Sequence, residues 1–172
     1  YATLYVILVL LIFMALSSFV FVKLQPILDE SAQNQNQLAR EELYSALTLA
    51  IQAVQRSTSA ISSWDEARQQ IGQPAYYTYW HDYRVKDSGM IDNSVLYVDL
   101  YNVSGSNLGG ANTSAGMPAR ISSERLGLTF VQQSGRIFIY DFAPIQPSEN
   151  NPSRIGYVGI KFDLLKHLAL SG

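Results

Sequence analysis

The chain has no cysteine. That absence excludes disulfides, iron–sulfur clusters and thiol catalysis, and it leaves the compartment open, because many bacterial periplasmic domains also lack the residue. Histidine is almost missing as well: His81 and His167 are the only two. No G-x-S-x-G elbow, P-loop or HExxH helix occurs, so no nucleophile–base arrangement is visible. These residues are therefore not expected to form an enzyme or to hold a cofactor. His81-Asp82 with Asp87 and Asp92 is a poor metal set, since adjacent residues rarely point at one ion and the spacing fits no familiar site. Charge is sparse: twelve Lys and Arg stand against fourteen Asp and Glu, a net charge of −2. Without a basic cluster, nucleic-acid binding loses its electrostatic basis.

From Tyr1 to Val22 charge is absent altogether, and only Thr3, Ser17 and Ser18 interrupt the apolar run. As a helix, such a run spans roughly 33 Å, against about 30 Å for a bilayer's hydrocarbon core. Tyr1 and Tyr5 mark one interface and Lys23 the other. Ala15-Leu16-Ser17 loosely resembles a signal-peptide cleavage site, but the apolar run continues past it through Val22, longer than a signal h-region. Residues 1–23 are therefore expected to be a transmembrane helix with the lipid bilayer as partner. The polar stretch after Lys23 carries no excess of positive charge, which places the soluble part outside the membrane.

Residues 27–61 read as one long helix. Apolar side chains at Leu43, Leu47, Ala50, Val54 and Ile61 form a single stripe, and Pro26 is expected to kink or restart the helix. Asp29 to Gln37 is polar nearly all round, as in a solvated stalk or one strand of a helix pair, and a homodimer through these helices is expected. Gly72, Pro74, Ser88 and Gly89 break the pattern over 62–93 into short turns and loops.

Strands follow. In Ser94–Tyr101, Val95, Tyr97, Asp99 and Tyr101 alternate with Leu96, Val98 and Leu100. A short strand is expected over Ser106–Gly110 and a flexible loop over Gly109–Gly116. Leu128–Gln133 and Arg136–Ile145 flank Ser134-Gly135, a two-residue hairpin turn. Ser148–Pro152 turns again, Ile155–Phe162 is the last strand, and Asp163–Leu170 is helical. N-x-S sequons stand at Asn102 and Asn112. The expectation is an α+β fold: a transmembrane helix continuing into a long amphipathic helix packed on an antiparallel sheet of four to five strands. The domains run 1–23, 24–165 and 166–172, the last leading into a possible second span.

Aromatic residues are plentiful. Of the eleven tyrosines, five fall between Tyr76 and Tyr97, with Trp80 among them. Trp64, Asp65, Tyr79, Trp80, Tyr83, Tyr97, Asp99 and Tyr101 combine large apolar faces with polar edges, the ingredients of a small-molecule pocket. A cationic ligand would suit the rings and carboxylates. Asp65 is expected to cap the turn after the long helix.

The order of features, with Trp64-Asp65-Glu66 ending a long helix, an aromatic spacer, then Ser94-Val95-Leu96-Tyr97-Val98-Asp99 and a Gly105 turn, resembles the fourth type of CHASE extracellular sensor domain. It departs from that pattern where an aromatic often follows the Trp-Asp pair, since Arg68 and Gln69 stand there. The resemblance implies a PAS- or Cache-like sheet and a ligand-sensing input domain of a bacterial inner-membrane protein. The sensor would lie on the periplasmic side, with a GGDEF/EAL cyclic-di-GMP or histidine kinase output outside these residues. A pilin-like filament subunit is the alternative architecture, although mature bacterial pilins resemble one another in a glutamate at the fifth position, where this chain has Tyr5.

Overall fold

The structure is a computed structural model that describes residues 2–110, 113–146 and 155–171, apart from the side chains at 2–9, 11, 12, 15, 24, 26–32 and 171. Two compact units divide the chain, residues 1–45 and 46–172.

The first unit contains only helix. α1 runs Ala2–Ser63, so the backbone is helical through Pro26 and the expected restart does not occur. Among the described residues no helix is long and apolar enough to cross a membrane. The span expected over residues 1–23 includes side chains at 1–9, 11, 12 and 15, which lie outside the described set. Phe13, Phe19, Phe21 and Val22, which are described, are all exposed.

The second unit begins inside α1. Ala50, Val54 and Ile61 are fully buried, Leu47 packs partly against them, and Leu43 is exposed, so the apolar stripe is shorter than its spacing suggested. α1 ends at Trp64, whose backbone is extended, and α2 follows over Asp65–Gly72. Asp65 does not cap α2. The residue before it, Trp64, occupies the cap position with no side-chain bond, and Asp65 sits in the first turn, where a carboxylate complements the helix dipole. A 3₁₀ turn (Pro74–Tyr76), α3 (Tyr77–Tyr79), a π turn (Trp80–Arg84) and α4 (Val85–Asp87) make up the aromatic region.

The sheet has four antiparallel strands: β1 Val95–Asn102, β2 Gly127–Gln133, β3 Arg136–Pro144 and β4 Gly156–Asp163, in the spatial order β1-β4-β3-β2. β2 and β3 join at Ser134-Gly135, both at positive φ (51° and 74°), as the mirror-image hairpin turn requires. The closing helix is α5, Leu164–Ser171.

The expected strand over Ser106–Gly110 does not form. It is reduced to the single bridges Tyr101↔Asn107 and Ser106↔Arg120. The chain reverses too tightly for a ladder. The Asn102 side-chain oxygen accepts from the amides of Ser104 and Ser106, and Gly105, at φ +78°, packs so close that a Cβ would lie 2.1 Å from the Ile121 carbonyl oxygen. The turn expected at Ser148–Pro152 and the sequon at Asn112 lie outside the described residues.

One face of the sheet packs on α1. Val98, Leu100, Ile139, Val158, Ile160 and Phe162 meet Ala50, Val54 and Ile61 there. Tyr101, Phe138, Tyr140, Phe142 and Tyr157 form a second cluster with Met117 and Ile121 on the outer face. A bulge between Val95 and Tyr97 breaks the alternation. Val95 therefore joins Val98 on the helix side, while Leu96 packs outward with Tyr97.

Asp141 is a charge-bearing residue on β3 directly opposite Ile160, one of the strand residues of the helix-side core. Burial raises its pKa above the ordinary carboxyl range, and the Thr58 hydroxyl offsets only part of that. Thr58 Oγ1 also donates to the Val54 carbonyl at 3.0 Å. A carboxyl raised on folding stabilises the fold below its unfolded pKa of about 3.9, and this contribution is lost as pH rises through the folded value. Asp141→Asn is therefore expected to stabilise the protein at pH 7 by on the order of 1 kcal/mol, with the gain vanishing near pH 4. Urea midpoints at the two pH values check this, and equal midpoints for the two proteins at pH 7 would refute it.

Candidate functional site

Asp99 lies on the outer face of β1, an edge strand, and is 1% exposed. β1 aims it away from α1, and everything it touches is a donor. His81 Nε2 lies 3.0 Å from one oxygen and Ser114 Oγ donates to the same oxygen at 2.7 Å. Asn107 Nδ2 donates to the other at 2.8 Å, joined by the Ser114 amide at 3.3 Å. Burial alone would raise the Asp99 pKa, but the bonds from His81, Ser114 and Asn107 outweigh it and hold the carboxyl below its usual range. The same bond to Asp99 raises the pKa of His81 against desolvation, and Asp82, 2.6 Å from Nδ1, adds to the effect.

Ser114, His81 and Asp82 have the spacing of a hydrolase triad, with Ser114 Oγ 2.8 Å from Nε2. Ser114 Oγ also bonds Asp99, and each imidazole nitrogen faces a carboxylate, so the four side chains form one network. The cluster is a lock on the loop that carries Ser114. Among the described residues no group of three or more His, Asp or Glu could hold a metal ion.

Three further side chains fasten the same loop, one from each of three strands. Lys161 on β4 donates to the Ala115 carbonyl at 3.3 Å. Tyr140 on β3 donates to the Gly116 carbonyl at 3.0 Å, and Tyr101 on β1 to the Pro118 carbonyl at 3.1 Å. With Asp99, these tethers hold Ser114–Pro118 over the outer face. Between this loop and the sheet lies a cavity of about 570 Å³, walled by Gly116, Met117 and Pro118 on one side and Val131, Tyr140 and Phe142 on the other, with Arg125 also lining it. A second cavity, about 340 Å³, opens at the free edge of β1 beside His81, Lys86, Asp92 and Tyr97.

The residues expected to form one pocket are dispersed. Tyr97 lines the edge cavity. Asp99 and Tyr101 are buried beneath the loop and hold it. Trp80 is buried between Tyr77 and Trp64, with ring centroids 5.9 and 5.6 Å away. Asp65 is exposed and paired with Arg68. Tyr79 and Tyr83 stack on each other in the open, 5.6 Å apart. Tyr77, from the same aromatic run, caps the β1 edge: its hydroxyl accepts from the Leu100 amide at 3.1 Å. Ser114, Gly116, Met117, Arg125 and Lys161 were missed. Ser114 and Gly116 fall in the glycine- and serine-rich stretch that reads as a flexible loop, and Met117, Arg125 and Lys161 lie outside it with no local signal.

No family model matches the chain, and no curated protein matches it. Among solved structures, it is similar to the ligand-binding domain of the Pseudomonas fluorescens chemoreceptor CtaA, determined in complex with L-isoleucine. The identity is 20% over 46% of this chain and 34% of that chain, with a TM-score of 0.32. So slight a likeness decides nothing about function, which is read below from this chain's own residues.

Proposed function

We propose that the chain is the ligand-sensing input domain of a bacterial membrane signalling protein, and that the outer-face cavity receives the ligand. The tethered loop is the observation that carries this reading. Four side chains from β1, β3 and β4 fix Ser114–Pro118 as one wall of a 570 Å³ cavity, within the size range of small-molecule sites. A molecule seated there displaces the loop, and each tether passes the displacement to a strand whose opposite face packs on α1. Sensing then requires only that two positions of the sheet on α1 differ in ligand affinity.

The rest of the proposal follows from the sequence. Residues 1–23 anchor the chain in the inner membrane, the sensor faces the periplasm in the manner of a CHASE-type domain, the long helices pair in a homodimer, and the output module lies outside these residues. The domain itself performs no catalysis.

Thermal denaturation of the full chain in detergent, screened against small molecules of all charge types, tests the site. At about a hundred times its Kd, a ligand adds roughly 2.7 kcal/mol, a shift of several degrees. Met117→Trp, which fills the cavity, is expected to remove that shift. Stabilisation that survives Met117→Trp would place the ligand elsewhere. No stabilisation by any compound would sink the sensing reading.

A further inference from the structure

The outer-face cavity has a charge character opposite to the cation-binding pocket expected from the aromatic residues between Trp64 and Tyr101, none of which lines it. No acidic side chain lines it, and the nearby carboxylate, Asp99, is saturated by four donors. Cations stand at the cavity instead: Arg125 lines it, and Lys161, which does not, lies next to Gly116 and Tyr140, which do. Lys161 is 6% exposed, and among the described residues no carboxylate lies within ion-pair distance of it. An ammonium has three donors. Here one makes a long bond to Ala115, while the rings of Phe138 and Tyr140 stand 4.5 and 5.6 Å from Nζ. A buried cation so thinly compensated is costly unless an anion joins it.

Gly116 keeps the approach open. It lines the cavity, and a Cβ there would fall 2.5 Å from Lys161 Nζ and 3.5 Å from the Tyr140 hydroxyl. Arg125 lines the same cavity, is exposed, and has no carboxylate partner among the described residues. The remaining walls are mainly apolar, with Met117, Pro118, Val131 and Phe142, and Thr129 and Tyr140 add two hydroxyl-bearing side chains.

We infer that this cavity takes a small organic carboxylate with an apolar body, the anion between Lys161 and Arg125 and the body against Met117, Val131 and Phe142. The inference rests on the reading of the cavity as a ligand site. A single negative charge fits one cation in the lining, a second beside it, and mainly apolar walls.

The test is calorimetric titration of the full chain in detergent with benzoate, benzamide and benzylamine, which share a ring and differ in charge. Benzoate is expected to bind at least about tenfold tighter than benzamide, and benzylamine not at all. Lys161→Met and Arg125→Gln should each shrink the benzoate preference, and Met117→Trp should abolish binding. If Lys161→Met fails to fold, the rim variant Arg125→Gln decides alone. Benzamide or benzylamine binding as tightly as benzoate, and blocked by Met117→Trp, would overturn the carboxylate while leaving the cavity a ligand site. A benzoate preference unchanged in the variants would overturn it too. Failure of all three probes, together with an empty thermal screen, would remove both the ligand class and the site.

Discussion

Asp99→Ala is expected to destabilise the second unit by about 3–5 kcal/mol, the scale for breaking a buried ion pair, and to lower its melting temperature by on the order of 10 °C. The substitution strands His81, Asn107 and Ser114 at once, because all three spend donors on that carboxylate. The Ser114–Pro118 loop loses its first tether, so limited proteolysis within 106–118 should accelerate.

Protonation provides a sharper readout. Asp99 is depressed on folding, so its contribution is present above the unfolded value of about 3.9 and is lost as pH falls through the lower folded value. His81 is raised, so its contribution is full below about 6.5 and is lost as pH rises through the higher folded value. The wild type should therefore be most stable in mildly acidic solution and weaken toward alkaline pH. Asp99→Ala should flatten that alkaline limb, because its main cause, the bond to Asp99, is gone. Melting curves from pH 5 to 9 check both points. An unchanged alkaline slope in the variant would show that the His81–Asp99 bond does not carry the effect.

Trp80→Ala should cost a similar amount, about 3–5 kcal/mol, as large-to-small changes in a core do. Trp80 is 1% exposed and stacked between Trp64 and Tyr77. Its loss opens a hole where α1 gives way to α2 and where Tyr77 covers the β1 edge. Trp80→Phe should be much milder. The indole N–H finds no acceptor among the described residues, so exchanging it for a ring edge removes an unsatisfied donor along with some contact area. Urea unfolding of both variants separates the two terms. If Phe costs as much as Ala, the N–H has a partner that matters.

The contrast between these residues shows what local pattern can reveal. β1 to β4 were legible to within a residue or two at most ends, because alternation and turn residues act over a few positions. Ser134-Gly135 fixed the hairpin register without help from the rest of the fold. The α1 stripe was legible at Ala50, Val54 and Ile61, but spacing alone could not show that Leu43 is exposed. The bulge at Leu96 was invisible, since the alternation through it is flawless in sequence. The largest gap is the loop. Ala115 and Lys161 are 46 positions apart in the sequence and meet only because β1 and β4 lie side by side beneath one segment. Asp99 stood out as a polar residue in an apolar strand, which marked it as special without revealing whether it faces a ligand or its own chain.

The strand order has a consequence for how the molecule comes into being. β1 is made first, yet its ladder partner is β4, and Val95 must wait for Phe162 before pairing. The β2–β3 hairpin, by contrast, can close as soon as Arg136 is synthesised. Contacts so distant in sequence slow folding and leave an unpaired strand available to neighbouring chains. The nascent β1 is not wholly bare: Tyr77, made just before it, and Leu108, made just after, both bond Leu100 on the edge away from β4. One side of the strand is thus shielded by its near neighbours during biosynthesis, and the other stays open until the final strand emerges.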